Sequence, residues 1–203
     1  LQALANQVMA HMELMRSHRI QEALIRELQT TRQELELLSS TDSLTGLLNR
    51  RAFDERFQQE IAMIQRGGPS GSLMLIDLDN FKNINDTYGH QGGDNVIVCF
   101  IELCRRVFRQ YDVISRWGGD EFMVMLPRTS PSDATHVASR LHQQLAETPM
   151  IMNNGTSLYC TVSIGICAVT STCTMDTCLS MTDALLYQVK ESGRNSTAVQ
   201  AET

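Results

Sequence analysis

The chain has 203 residues, with 17 lysines and arginines against 23 aspartates and glutamates and a formal charge of −6. That balance argues against a general nucleic-acid binder, whose phosphate contacts need a basic face. At 42% hydrophobic and 20% charged, the chain is too apolar for disorder over most of its length, and it is long enough for one domain with an appendage or for two small domains.

Residues 1–38 contain no Pro or Gly and are dominated by Leu, Met, Ala, Gln, Glu and Arg, which predicts one long helix. Leu24, Leu28, Thr31, Leu35 and Leu38 follow the 4-3-4-3 spacing of a coiled-coil seam. Leu1, Leu4, Val8 and Met15 fit another register, so the seam shifts between His11 and Glu22. Such a helix either packs on its own domain or forms a dimer stalk, and the stalk is the expectation here. The capping residues Ser39, Ser40, Thr41 and Asp42 mark the boundary, giving a stalk over 1–40 and a globular unit over 41–203.

The globular unit alternates helical and extended patterns. A helix is predicted over 50–65, then a Gly/Pro loop over 67–71 and a buried strand, Leu73 to Ile76, ending in Asp77. A helix from Gly93 to Arg109 follows. Two strands, 112–117 and 121–126, are joined across Gly118-Gly119 as a two-residue hairpin. Helix 130–147, strand 159–170, helix 176–191 and a short strand over 197–200 complete the chain. The pattern is an α/β (α+β) sandwich of the split βαβ kind. No run approaches the roughly eighteen apolar residues of a membrane span and no signal segment opens the chain, so the expectation is a cytoplasmic location without membrane contact. The cysteines (Cys99, Cys104, Cys160, Cys167, Cys173, Cys178) form no CxxC pair and accompany no His cluster, so they read as buried reduced thiols and not as zinc ligands.

Two constellations carry chemistry. Asp77 and Asp79 end a buried strand at i and i+2, so both can reach one site, or the turn beyond diverts one of them. Carboxylate and backbone oxygens are the hard ligands that magnesium takes when it is shared with a nucleotide. In Arg116-Trp117-Gly118-Gly119-Asp120-Glu121-Phe122, glycines without a Cβ let backbone approach a ligand closely, and two acids follow at once. If that hairpin lies beside the Asp77 strand, Asp77 and Asp120 converge, which is how metal-assisted phosphoryl or nucleotidyl transfer is built.

The string Gly118-Gly119-Asp120-Glu121-Phe122 resembles the GGDEF family, the diguanylate cyclases. The resemblance runs from about Thr41 to the C-terminus through Asp42-Ser43-Leu44-Thr45-Gly46-Leu47, Asn49-Arg50-Arg51, Asp77 to Asp94, Ser163-Ile164-Gly165 and Lys190 to Asn195. The first forty residues lie outside it, and their start is similar to the exit helix of a GAF-type sensor. The resemblance implies a nucleotidyl-cyclase or polymerase-palm fold with the signature on a hairpin. It also implies condensation of two GTP into cyclic di-GMP and two pyrophosphates, each 3′-hydroxyl attacking the other's α-phosphate between two facing domains. A homodimer is therefore expected, joined through the N-terminal helix.

Residue by residue, the resemblance implies Mg2+, or Mn2+, held by Asp77, Asp120 and the carbonyl of Leu78. Asp120 would promote loss of the 3′-hydroxyl proton, and Glu121 would support the metal shell or the hairpin. Asn85 and Asp94 correspond to guanine readers and His90 to a further substrate contact. A carboxylate can accept together from guanine N1–H and its amino group, a donor pair that adenine lacks, so Asp94 favours GTP over ATP. The loop from Asp79 through Phe81 to Lys82 would turn backbone amides to the β- and γ-phosphates, with charge from Lys82, Lys190 and Arg194, while Gly118 and Gly119 let the substrate close in. Arg109-Gln110-Tyr111-Asp112 has the placement of the family's RxxD product-inhibition site, with Arg140 as a second-site arginine; a surface salt bridge is the plainer reading of that sequence. Leu185 and Val189 stand where the family often has Ala. The rival to an active cyclase is an inactive receptor for GTP or cyclic di-GMP. The chain's two lysines, against fifteen arginines, fall at the positions matched to triphosphate ligands.

Overall fold

The computed structural model describes residues 40–151 and 155–200, together with Met9, Met12, Met15, Arg16, His18, Gln21, Glu22 and Ile25. The chain divides into two compact units, Leu1–Ser40 and Thr41–Thr203. In the first, the eight described residues before Ser40 are helical and exposed, as a run of strong helix formers dictates. Met15 aside, the residues of both expected seam registers lie outside the described residues.

The second unit runs β1 (Leu48–Asn49), α1 (Arg50–Gln65), β2 (Gly71–Leu78), α2 (Phe81–Val107), β3 (Val113–Arg116), β4 (Glu121–Leu126), α3 (Pro131–Glu147), β5 (Met150–Ile151), β6 (Ser157–Leu158), β7 (Val162–Val169), α4 (Met175–Glu191) and β8 (Thr197–Val199). Six strands form one sheet in the order β1-β3-β4-β2-β7-β8. β2 is antiparallel to both neighbours, pairing Asp77 with Glu121 on β4 and with Ser163 on β7. β4 therefore lies inserted between β2 and β3, which are parallel to each other, and this is the split βαβ arrangement.

Helices cover both faces. Met74, Ile76 and Leu78 of β2, with Phe122 and Val124 of β4, pack under α2 and α3 against Phe100, Val96 and Leu141. Leu73 and Leu75, with Met123 and Met125, pack under α1 and α4 against Phe53, Phe57 and Leu186. Every residue of β2 is buried, so its centre, Leu73 to Ile76, is continuously apolar, as two covered faces require, and the buried Ser72 hydroxyl donates to Thr129 O at 2.8 Å. Caps fix the helix starts: Asn49 accepts from the Ala52 amide at 3.0 Å, Ser130 from the Asp133 amide at 3.1 Å, and Thr174 and Thr177 form a capping box before α4.

Four expectations need correction. The helix expected from Gly93 starts at Phe81, and Gly89 kinks it with φ 73° and ψ 169°. Phe81, Ile84 and Tyr88 keep helical spacing there, but Asn, Asp, Thr and Gly among them read as turn. Phe81 and Lys82 thus lie in the first helical turn and Asn85 in a helix, not in loops. The hairpin is longer than a two-residue Gly-Gly turn, because Glu121 O accepts from the amides of Trp117 and Gly118 at 2.8 and 3.2 Å. The strand expected from Tyr159 begins at Val162, while Ser157–Leu158 pairs separately with Met150–Ile151. The two-residue strand β1, parallel to β3, is too short for a periodic signal.

Candidate active site

The sheet register brings the acids together. Asp77 ends β2 opposite Glu121, and the Leu78 amide donates to Asp120 O at 3.2 Å. The β2 end and the hairpin turn are thereby tied side by side. Lys190, in the last turn of α4, places Nζ 2.8 Å from Asp77 Oδ2. Burial pushes the Asp77 carboxyl above its ordinary value; Lys190 pulls it back, and the charges of Asp120 and Asp79 push it up again. Glu121 is raised by burial first and then by Asp77 and Asp120. A Cβ on Gly118 would come within 3.1 Å of Glu121 Oε2, so the glycine leaves room for that carboxylate, and a Cβ on Gly119 would meet open space.

This donor set suits a hard divalent cation. It offers two carboxylates and a strand-end carbonyl, Leu78 O, and the Lys190 ammonium already takes a cation's place against Asp77. Among the described residues no three His, Cys, Asp or Glu side chains form a ready cage.

Asp79 takes the other course left open at i+2. It is 4% exposed and accepts from Thr161 Oγ1 and Ser163 Oγ at 2.7 Å each and from the Asn195 amide at 3.1 Å. It joins the turn after β2 to β7 and to the loop carrying Arg194, and it is not available as a ligand. Arg194 and Asn195 both adopt left-handed backbone, with φ 65° and 47°, and Arg194 N closes on Val189 O at 3.0 Å.

The hairpin is also held by Arg116 and Asp42, whose contact with each other sequence reasoning did not foresee. Arg116 donates to Gly119 O through Nε at 3.1 Å and Nη2 at 2.8 Å, and through Nη1 to both Asp42 oxygens at 3.3 Å. Asp42 in turn accepts from the amide and hydroxyl of Thr45 at 2.9 and 2.7 Å. Burial pushes Asp42 up, but the Thr45 bonds and Arg116 outweigh it and hold the carboxyl below its ordinary value. Arg50 lies 4.4 Å over the Trp117 ring, and Phe53 meets that ring edge-on. Asp42-x-x-Thr45-Gly46 is an Asx-type turn whose glycine has φ 67°, and it fixes the Asp42 carboxylate locally.

Of the expected guanine readers, Asn85 lies against Gly93, the residue before Asp94. A Cβ on Gly93 would collide with Asn85 Oδ1 and approach Phe81 Cζ to 3.0 Å, so Asn85 packs across the second half of α2 beside Asp94. Asn85 and Asp94 are half-buried, whereas His90 and Lys82 are exposed.

At the expected inhibitory site, Arg109 and Arg140 line one cavity of about 460 Å3 with Arg128 and His136. Asp112 accepts from the Arg109 amide at 2.7 Å, while the Arg109 guanidinium donates to Tyr111 Oη at 2.7 Å. The RxxD therefore acts as a backbone clamp with its guanidinium turned outward. Arg140 donates to Val107 O at 3.1 Å. A larger cavity, about 820 Å3, runs along α1 and β3 past Asp112 and away from the carboxylates.

Fold and site define a domain of the cyclase fold. Residues 39–196 match the family described as "Diguanylate cyclase, GGDEF domain", and the chain belongs to that family. It is 39% identical over 155 residues to diguanylate cyclase DgcP of Pseudomonas aeruginosa, covering 76% of this chain and 23% of that protein. It is 37% identical over 166 residues to response regulator PleD of Caulobacter vibrioides, covering 81% and 37%. The GGDEF domain of DgcB from Caulobacter crescentus, solved in complex with c-di-GMP, superposes with a TM-score of 0.75 at 31% identity, covering 79% of this chain and 95% of that one. The chain thus spans well under half of the two curated relatives.

Proposed function

We propose that this chain is a diguanylate cyclase that condenses two GTP into cyclic di-GMP and two pyrophosphates. The observation that carries the reading is the convergence of Asp77, Asp120 and Glu121 with Lys190 at one end of the sheet. Each domain would hold one GTP, and two domains would face each other so that each 3′-hydroxyl attacks the partner's α-phosphate and pyrophosphate leaves.

Asp77 and Asp120, with the Leu78 carbonyl, would hold Mg2+ or Mn2+, which supplies Lewis-acid stabilisation of charge on the α-phosphate and lowers the pKa of the 3′-hydroxyl. Asp120 orients that hydroxyl and accepts its proton, while Glu121 supports the hairpin and the local negative charge. Asn85 and Asp94 read the guanine edge, with His90 beside them. Lys190, Lys82 and Arg194 neutralise the β- and γ-phosphates, and the first-turn amides at Phe81 and Lys82 give these anions a helix N-terminus in place of the expected loop. Gly119, with open space where a Cβ would stand, admits the substrate to the hairpin.

Cyclic di-GMP would return to the cavity between Arg109 and Arg140, both guanidinium groups forking or stacking on its guanines. An inactive receptor would have no need of Asp77, Asp120, Glu121 and Lys190 together. The test is Asp120→Ala: GTP turnover should fall at least about a thousandfold, the order of loss for a group acting on the transition state, with an unchanged circular dichroism spectrum. Normal turnover would place the metal site elsewhere.

A further inference from the structure

An imidazole on the inner face of α3 has no part in the reaction as proposed. Ala138, His142 and Leu145 share one stripe of that helix at i, i+4 and i+7, and the outer two are buried. An apolar side chain would suit the middle of such a stripe. The half-buried imidazole that stands there shares a hydrogen bond of 3.0 Å between Nε2 and Thr197 Oγ1, while Nδ1 is buried with no partner among the described residues. An unpaired buried ring nitrogen costs free energy that a leucine would not incur. What the histidine adds to plain packing is therefore its bond to Thr197. Burial holds the ring below its ordinary pKa, and the Asn195 side chain and the charge of Asp79 raise it only in part.

Thr197 opens β8, a three-residue strand at the edge of the sheet that pairs with β7 alone. The segment entering it, residues 192–196, follows the last turn of α4 and carries the exposed Arg194. Arg194 and Asn195 are consecutive non-glycine residues in left-handed backbone, a conformation that persists only where the surroundings hold it. The Arg194 amide donates to Val189 O at 3.0 Å, the Asn195 amide to Asp79 Oδ2 at 3.1 Å, and the Ile164 amide to Ser196 O at 3.1 Å. His142 adds a tie of another kind. It reaches the segment's end from α3, which covers the opposite face of the sheet from α4.

We propose that His142 is a positioning residue for the triphosphate subsite, its bond to Thr197 holding residues 192–196 so that Arg194 meets the β- and γ-phosphates of GTP, a role that rests on the phosphate contact proposed for Arg194. Through Asn195 the same segment is bonded to Asp79, in the turn just before the first-turn amides at Phe81 and Lys82. The imidazole thus helps to fix one phosphate-binding segment relative to the other. Without it β8 keeps its backbone pairing with β7, but the segment loses its tie to α3 and the Arg194 side chain is no longer held toward one place. Triphosphate affinity then falls while the fold remains.

The test is calorimetric titration of the full chain with 3′-deoxy-GTP and Mg2+, an analogue that lacks the attacking hydroxyl. His142→Leu and Thr197→Val should each weaken binding about tenfold, the order of effect when one support of a charged contact is lost, with an unchanged circular dichroism spectrum. His142→Gln, whose amide can still bond Thr197, should recover most of the loss. Arg194→Ala should weaken binding to a similar degree, and adding His142→Leu to it should cost nothing further, because one residue acts through the other. Unchanged affinity in His142→Leu and Thr197→Val, or losses that add to that of Arg194→Ala, would overturn the proposal. A wild type that binds the analogue and shows these losses but makes no cyclic di-GMP from GTP would support the positioning role and overturn the cyclase reading alone.

Discussion

Glu121 sits beside Asp77 and Asp120, and burial first, then those like charges, raise its carboxyl above the ordinary value of 4.5. A raised acid binds its proton more tightly in the folded chain than in the unfolded one. Folding stability therefore falls as pH rises from 4.5 through the folded value, and the destabilisation is complete above it. Asp42 behaves in the opposite sense: its lowered carboxyl stabilises the fold above 3.8, and that contribution is lost as pH falls through the folded value. Glu121→Gln should raise Tm at neutral pH by on the order of 1–2 °C, since partial exposure screens the charges, and should flatten the loss of stability above pH 4.5. The same change should lower turnover at least about tenfold, the order of effect of a group in the electrostatic shell. Melting curves at several pH values with a GTP assay check both, and a variant no more stable than wild type at neutral pH would show that Glu121 is not strained by its neighbours.

Among the elements, α2 is the one whose sequence misleads. Its first half carries Lys82, Asn83, Asn85, Asp86 and Thr87, residues that compete with the helix through their own side chains, yet Phe81 and Ile84 pack against the core and hold it helical. Gly93 is the contact that lets Asn85 lie across the second half. Gly93→Ala should push Asn85 off this position, raising KM for GTP about tenfold while kcat falls less, as expected when a binding contact is lost. Equal loss in both would remove Asn85 from the guanine subsite. The outer helices, the central strands and the existence of the hairpin were legible because apolar periodicity and the glycines between the runs agreed there, while the caps at Asn49, Ser130 and Thr174 fix where the helices start. Asp77 and Asp120 were legible as a pair once their strands were placed side by side. The Arg116–Asp42 clamp was not, because its partners are 74 residues apart and no local pattern couples them. Nor does sequence tell Asp79 from Asp77. Only the hydroxyls of Thr161 and Ser163, brought in by β7, decide which carboxylate is satisfied and which is left for chemistry.

At the scale of the whole molecule, an acidic chain of net charge −6 gathers its cations where the proposed reaction and its control need them. Lys190 faces the carboxylates, and Arg109 and Arg140 share a cavity on another part of the surface. Arg109→Ala should relieve inhibition by added cyclic di-GMP, raising the inhibitory concentration at least about tenfold, because a charge-assisted bidentate contact is worth roughly 1.5–3 kcal/mol. Turnover without added product should be unchanged, and unaltered inhibition would leave Arg109 only its contact with Tyr111. The account's central claim joins the two units: one GTP per domain, and chemistry only where two copies meet. The most direct measurement follows GTP consumption with magnesium across a range of protein concentrations, for residues 1–203 and for residues 41–203. The account predicts one cyclic di-GMP for every two GTP, a specific activity that rises with protein concentration, and a weaker response without the N-terminal helix. Intact GTP at concentrations where the chain is dimeric, or a specific activity independent of concentration where it is monomeric, would contradict it.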